Sequence, residues 1–444
     1  MARESGKTSS GVTEECRLNV DLFSLMVANK KAMNQSQTVT PKIQKVPTVL
    51  RGDSNFVKQY EPTMVSLGPI HHHNSKYESG EGYDYKQILI NDFVQASGQE
   101  LDSLKQQIEN IQQLRDFFET ELIKKNHDDK LLASMLCEDG CAILQYIYRP
   151  PTETKYHVIA QDILLLENQI PYKVLKELMR LSNNKDQLEK SIATFIQKHA
   201  NLHSQEIPHV LTDGNHVHLL DLLRKSLLGR SQAETHNKRK DLVLPSFRNV
   251  QKLKAAGIHL RRSSDWFFRN IVFSRRFHLL GRLYLPPITV DNSTRLKFLN
   301  LVAYEMCLDF KNDPGPGVTS YLLFLYSLIN EAQDVKELRD AGVLYNSFGS
   351  DTELQTIFSE ICAELGSDPD TYIGVREKIQ EYYGTLMSKM LQFYHAYIKD
   401  SSWPLLVILA VLLDLLFSGT QTLISVKTWF SVTPAPAPAP QSHS

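Results

Sequence analysis

Three consecutive histidines, His71, His72 and His73, are the side chains in this sequence best suited to hold a metal ion or move a proton near neutral pH. Glu61, Glu78, Glu81 and Asp84 stand close enough along the chain to assist them. Adjacent residues share no face of a helix or a strand, so a metal could take one or two of these histidines only from a loop. Gly68 and Pro69 place a turn just ahead of them. There is no HExxH pair and no paired CxxC anywhere in the chain. The spacing therefore favours a structural loop, and His71, His72 and His73 stand as the only metal candidates.

Other polar groups read more plainly. Cys137 and Cys141 are four apart and share one helix face, without a second pair to complete a metal site, so they read as buried core thiols. His216 and His218 form an HxH ahead of an apolar helix and read as groups near its cap. Glu167 and Asn168 interrupt the apolar run LLLENQIP, where hydrogen-bonded caps at a helix break are commoner than catalytic groups. The glycine pairs Gly80–Gly82 and Gly315–Gly317 form neither GxGxxG nor a phosphate loop, and no GxSxG elbow exists. No catalytic residue and no cofactor is assigned.

The chain that must position these groups has 444 residues, with 42% hydrophobic and 22% charged, enough for a real core. Its net charge of −1 argues against nucleic acid, because each phosphate contact needs a basic residue. Five cysteines are too few, and odd in number, for a secreted disulfide scaffold. The first twenty residues contain no apolar run fit for a signal peptide.

The fold class expected is mainly α: a multi-helix globular domain with a small antiparallel β element near residues 258–291 and a C-terminal transmembrane helix. Apolar residues at three- and four-residue steps predict helices over Leu101–Leu122, Asp129–Tyr146 and His216–Leu228. Asp162–Leu178 reads helix, break, helix, with Pro171 opening the second. A short helix over Val250–Ala256 precedes the β-like stretch, in which Pro286 and Pro287 exclude helix. Further helices are expected over Thr294–Asp309, Thr319–Ile329, Asp351–Leu365 and Tyr372–Lys399. Residues 1–42 are expected to be a disordered extension, 43–228 and 241–400 two helical halves, and 229–240 a polar linker between them.

From Leu405 to Val426 the sequence LLVILAVLLDLLFSGTQTLISV would form a helix of roughly 33 Å, close to the thickness of a hydrocarbon core. Trp403 and Trp429 flank it, as interfacial aromatics do, which sets the transmembrane helix at 403–427 and a Pro/Ala-rich tail at 428–444. Asp414 interrupts the run. A central Asp costs about 2.5–3.5 kcal/mol, and each Leu, Ile, Val or Phe returns about 0.3–0.6. The run holds fourteen such residues, so insertion remains favourable or near neutral. Asp414 is then a candidate for pairing with a partner helix inside the membrane, with Ser418 and Gly419 nearby. Lys389 and Lys399 on one flank against Lys427 on the other favour a cytoplasmic globular domain on a single-pass anchor, inserted after synthesis. The NxS/T sites at Asn34 and Asn292 would matter only if that domain faced outward.

VSLGPIHHH (Val65–His73), MLCEDGCAIL (Met135–Leu144), DILLLENQIP (Asp162–Pro171), HLLDLLR (His218–Arg224), Leu283–Cys307 and Val318–Leu344 occur in this order. Together they resemble the plant domain-of-unknown-function family numbered 247, a family of single-pass membrane proteins. The resemblance covers roughly Val46 to Val426. It implies a plant membrane protein without an established active site, and it includes grass members proposed as pollen-side determinants of self-incompatibility. Two departures stand out: His73 replaces the glycine that usually follows the paired histidines, and GEGYDYK (Gly80–Lys86) replaces the usual Met-Glu pair. The leading expectation is a non-enzymatic recognition or signalling module that binds an unknown protein partner from a membrane. The alternative is a metal-dependent or hydrolytic enzyme using the His71–His73 loop.

Overall fold

A computed structural model describes residues 42–51, 58–111, 113–123, 128–201, 216–229, 249–276, 280–307, 316–347, 350–362, 365, 372–385, 388–392 and 402–431. The N-terminal extension through residue 41 with Cys16 and Asn34, the linker beyond Gly229, Lys399, and the Pro/Ala-rich tail from residue 432 lie outside them.

The first half is organised around one buried helix. Helices α1 (Glu81–Ser97), α2 (Leu101–Glu109), α4 (Tyr172–Leu181) and α5 (Lys185–Ala200) all pack on α3 (Asp129–Tyr148). Because α3 is covered on every side, it is apolar or small nearly all round, from Leu132 and Leu136 to Ala142 and Ile147. Cys137 and Cys141 belong to this core as free, buried thiols, and burial, with the neighbouring Cys137, pushes the Cys141 thiol well above its usual value. Sequence periodicity predicts a single helix from Leu101 to Leu122, but α2 stops at Glu109. Gln113 adopts the left-handed region, and Phe118 turns extended to bridge Ile43. That bridge recruits the incoming N-terminal strand-like segment into the core.

The first half closes with α6 (Leu219–Leu228), and the second begins with α7 (Val250–Ala255), followed by strands β1 (Ile258–Arg262), β2 (Val272–Arg276), β3 (Leu280–Leu285) and β4 (Ile288–Val290). The sheet order is β1-β3-β2. The β2–β3 pair is antiparallel, as the sequence leads one to expect, whereas β1 joins β3 in parallel. Parallel pairing follows from the long route between β1 and β3, which runs out through β2 before returning. Helices α8 (Thr294–Met306), α9 (Gly317–Leu328), α10 (Ala332–Asp340), α11 (Asp351–Cys362) and α12 (Ile373–Tyr383) complete this half, with β5 (Leu344–Asn346) pairing in parallel with β4. The expected helix Tyr372–Lys399 is interrupted: α12 ends at Tyr383 and Gly384 caps it. One continuous apolar core runs from Ile43 to Tyr383, and α6 packs against both α5 and α9.

The last element, α13, spans Ser402–Ser431. Its stretch Leu406–Trp429 is 24 residues of apolar helix with none of it buried, long and apolar enough to cross a membrane.

Candidate functional site

The three motif segments of the first half meet at one place, where an extended stretch of chain, residues 62–68, is held by buried carboxyl and amide side chains. Such a stretch has no helix or strand to satisfy its backbone, so its N–H groups need other partners. Asp162 supplies three: its carboxylate accepts from the amides of Thr63, Met64 and Val65 at 2.8, 2.8 and 2.9 Å. Asn168 accepts from the Leu67 amide at 2.7 Å and donates to the carbonyls of Val65 and Asp162 at 3.0 and 2.9 Å. Asp139, on α3, accepts from the Gly68 amide at 2.6 Å and pairs with Lys86 of α1, whose ammonium also reaches the Ser66 carbonyl at 2.8 Å. Gly68 has φ +67, and a Cβ there would meet the Gln169 carbonyl oxygen at 2.6 Å, so only glycine lets the two strands of chain approach.

Glu167 ties in a second segment. It accepts from the Val46 amide at 2.8 Å and pairs with Arg51, and His71 Nε2 stands 3.2 Å from its other oxygen. Gln169 donates to the carbonyls of Ile163 and Leu165, both at 2.7 Å, and accepts from Leu220 at 3.1 Å, linking the cluster to α6. Asn300 of α8 accepts from Leu166 and donates to Gln59, both at 2.9 Å. Burial raises the Asp162 carboxyl above its ordinary value against the pull of three amides. Burial also acts upward on Glu167, but His71, Arg51 and the Val46 amide outweigh it and leave that carboxyl below its usual range.

His71 parts from the other two histidines. His71 turns inward to Glu167, with its ring edge-on to Tyr77. His72 is half-buried; desolvation lowers its imidazole, opposed by Asp139. His73 is exposed and meets His72 edge-to-face at 5.2 Å between centroids. Among the described residues no group of three or more His, Cys, Asp or Glu side chains is placed to hold a metal ion. Of the neighbouring carboxylates, Glu81 pairs with Lys155 instead.

A second polar knot lies between α6 and α8. Arg224 of α6 and Glu305 of α8 form a buried pair at 2.6 Å. Glu305 also accepts from the amides of Val318 and Thr319 at 3.0 and 2.7 Å and from the Thr319 hydroxyl at 2.6 Å, so it caps the start of α9 from a distance. His218 caps α6, its Nδ1 accepting from the Asp221 amide at 3.1 Å. With Nδ1 an acceptor, the neutral ring carries its proton on Nε2. Burial lowers this imidazole to about 4. Asp221 accepts from Tyr304 at 3.1 Å and pairs with Lys225 at 2.7 Å. His216 lies edge-on to Tyr172.

Sequence reasoning singles out Glu167, Asn168, His218 and the histidine loop, and it misses Asp139, Asp162, Gln169, Arg224, Asn300 and Glu305. The missed signal is charge in an apolar context: Arg224 within LLDLLRKSLL and Glu305 within LVAYEMC sit where a solvated charge has no place. The pattern of these segments decides the relationship. The chain belongs to the DUF247 family, plant proteins of unknown function, whose family model matches residues 43–417. It is 25% identical over 444 aligned residues to UPF0481 protein At3g47200 of Arabidopsis thaliana, covering 86% of this chain and 87% of that relative. A second Arabidopsis UPF0481 protein, At3g02645, is 29% identical over 187 residues, 41% of this chain and 33% of its own. No solved structure matches. The motif residues of this DUF247 chain thus serve mainly as backbone partners: their carboxylates are filled by amides, guanidinium and ammonium groups.

Proposed function

We propose that this DUF247 protein is a membrane-tethered, non-enzymatic module that recognises another protein. The observation that carries the reading is the helix Leu406–Trp429, which is apolar, spans 24 residues and buries none of them against the rest of the chain. An apolar surface of that extent in water would drive aggregation, whereas lipid covers it at no cost. The hydroxyls of Thr420, Thr422 and Thr428 donate back to the carbonyls of Phe417, Ser418 and Ile424, which suits a helix in a medium without water. The carboxylates of the two knots support a binding role over a hydrolytic one, since those of Asp162, Glu167 and Glu305 are buried and already accept from backbone amides. Lys389 and Lys399 ahead of the helix against Lys427 behind it favour a cytoplasmic domain. Recognition between pollen and stigma, which the family resemblance implies, is one setting for such a module.

The test is topology in plant cells. Full-length protein carrying a glycosylatable tag at each end is expected to stay in carbonate-washed membranes with its N-terminal tag unmodified and protease-accessible. A variant lacking Leu405–Val426 is expected in the soluble fraction. Full-length protein that washes off with carbonate sinks the anchor; a glycosylated N-terminal tag sinks the cytoplasmic orientation and brings Asn34 and Asn292 into play.

A further inference from the structure

The three-stranded sheet buries Ile258, Phe273, Leu283 and Leu285 on one face. Its other face looks outward, and the register sets out what it carries. One cross-strand row is His259, Arg282 and Ser274; the next is Arg261, Tyr284 and Val272. His259, Arg261 and Val272 are exposed, and Arg282 and Tyr284 are half-buried. Lys254, on the helix α7 that leads into β1, extends the basic surface.

The electrostatics agree with the geometry. The His259 imidazole is lowered by burial first, then by Arg261, Lys254 and Arg282, with no carboxylate acting on it. The Tyr284 hydroxyl is drawn below its usual value, foremost by its hydrogen bond with Arg282, with Arg261 adding to it. Both groups report a positive field. Lys254 is paired with Glu337 at 2.6 Å and Arg275 with Glu381 at 3.3 Å, but among the described residues Arg261 and Arg282 have no carboxylate partner. Two guanidiniums in neighbouring rows of one sheet face present forked donors to an oxyanion.

The position of the sheet says which oxyanion. Residues 388–392, the last described before α13, lie against it: a Cβ built on Gly257, at the head of β1, would come within 2.5 Å of Leu391 Cδ1. Tyr383 donates to the Lys252 carbonyl at 2.7 Å, and Tyr382 to that of Gly257 at 3.4 Å, fastening α12 to the same edge. From Gln392 to Ser402 the chain can reach at most about 35 Å. The basic face is thus tied by a short lead to the point where α13 begins. Its rim carries Val272, Leu280 and Met390, each exposed, as apolar side chains that fit among headgroups.

We propose that the outward face of this sheet docks on the headgroup layer of the membrane that α13 enters, with Arg261 and Arg282 taking the phosphates of anionic phospholipids. This rests on the membrane reading above. Docking fixes the orientation of the globular domain on the bilayer and leaves its far side open to a partner. A juxtamembrane basic residue gains about fivefold in occupancy near an anionic leaflet.

The experiment uses the full-length chain in nanodiscs of phosphatidylcholine alone or with phosphatidylserine added. Phenylglyoxal labelling of individual arginines is followed by mass spectrometry, with Arg180, exposed beside Glu177, as internal reference. Labelling of Arg261 and Arg282 is expected to slow about fivefold when phosphatidylserine is present and to recover in high salt, while Arg180 stays unchanged. Equal rates in the two lipid mixtures overturn the proposal. So does equal slowing by soluble glycerophosphoserine with neutral discs, which would make this a small-anion site. Slowing by a polyglutamate peptide but not by phosphatidylserine would assign the face to an acidic protein instead. Flotation with liposomes separates the two readings: a chain that does not float defeats the anchor and the docking together, and one that floats with unprotected arginines defeats the docking alone.

Discussion

The two buried polar knots solve different problems. Around Asp162 and Asn168, neutral backbone amides fill the side-chain oxygens, and the object held is a stretch of chain with no secondary structure of its own. Around Glu305, a guanidinium does most of the work, and the objects held are two helices and the start of a third. Among the described residues Asp162 forms no ion pair, and burial raises its carboxyl against the amides and the more distant Lys76. Asp221, beside the second knot, feels burial in the same direction, yet Lys225 and His218 bring it below its usual value. A chain path is specified by counting amides; a helix packing is specified by opposing charges. The first tolerates loss of charge but not loss of acceptors, and the second tolerates loss of both charges together but not of one alone.

The largest effect expected from that distinction is at Arg224. Arg224→Met leaves the Glu305 charge buried without its cation and is expected to cost about 3–5 kcal/mol of unfolding free energy. R224M/E305Q restores neutrality while keeping an oxygen for one of the Val318 and Thr319 amides, so it should be more stable than R224M alone. Denaturant midpoints of the full chain in one detergent measure both. A single variant that loses under about 1 kcal/mol would remove the charge argument.

Next in size is Asp162. Asp162→Ala orphans three amides and is expected to cost about 3 kcal/mol, with hydrogen exchange at 63–65 speeding most. Asp162→Asn keeps an acceptor and should cost about half as much. Equal losses for the two would mean that charge, not acceptor count, matters there as well.

The helices were legible where an apolar stripe was wide, as in α3, α6, α8 and α9, and the membrane-length helix was legible from composition alone. Two helices escaped. The stripe of α1 is narrow, Leu89, Ile90 and Phe93, and is blurred by the exposed Tyr83 and Ile88. That of α5, Leu188, Ile192 and Ile196, has one residue in every four and is set among lysines, Asp186 and Glu189. At the site, Glu167 and Asn168 could be read as hydrogen-bonded because they break an apolar run. Their partners could not: the amides that meet Asp162 lie nearly 100 residues away, in a segment whose own sequence signals only the turn at Gly68 and Pro69. Long-range side-chain-to-backbone bonds leave no periodicity behind.

A third and intermediate effect sharpens the comparison through pH. His218 is buried neutral, lowered to about 4 from an ordinary 6.5. A depressed imidazole contributes stability that is complete above pH 6.5 and is lost as the pH falls toward 4, at most about 3 kcal/mol. The raised Asp162 carboxyl acts with opposite sign: its contribution is present below its ordinary value of 3.8 and is lost as the pH rises through its folded value. His218→Asn keeps an oxygen to accept the Asp221 amide and should flatten the melting temperature between pH 6.5 and 4. Wild type and variant melting in parallel across that range would mean that the imidazole is not what acid attacks.

The smallest effect belongs to the residues that first suggested chemistry. His71 contacts Glu167, but the Val46 amide and Arg51 remain on that carboxylate when it is gone. A partly exposed contact of this kind is worth about 1 kcal/mol or less, so His71→Ala should shift the melting temperature only slightly. His72 and His73 meet each other instead, and replacing all three by alanine should cost little more. If the loop instead serves a metal, the purified full-length protein will carry zinc or iron near one equivalent, and the triple variant will lose both the metal and several kcal/mol together. Metal analysis of the two proteins side by side separates a loop held by its own backbone partners from one held by an ion. The separation of His71, on Glu167, from the His72–His73 ring pair favours the first.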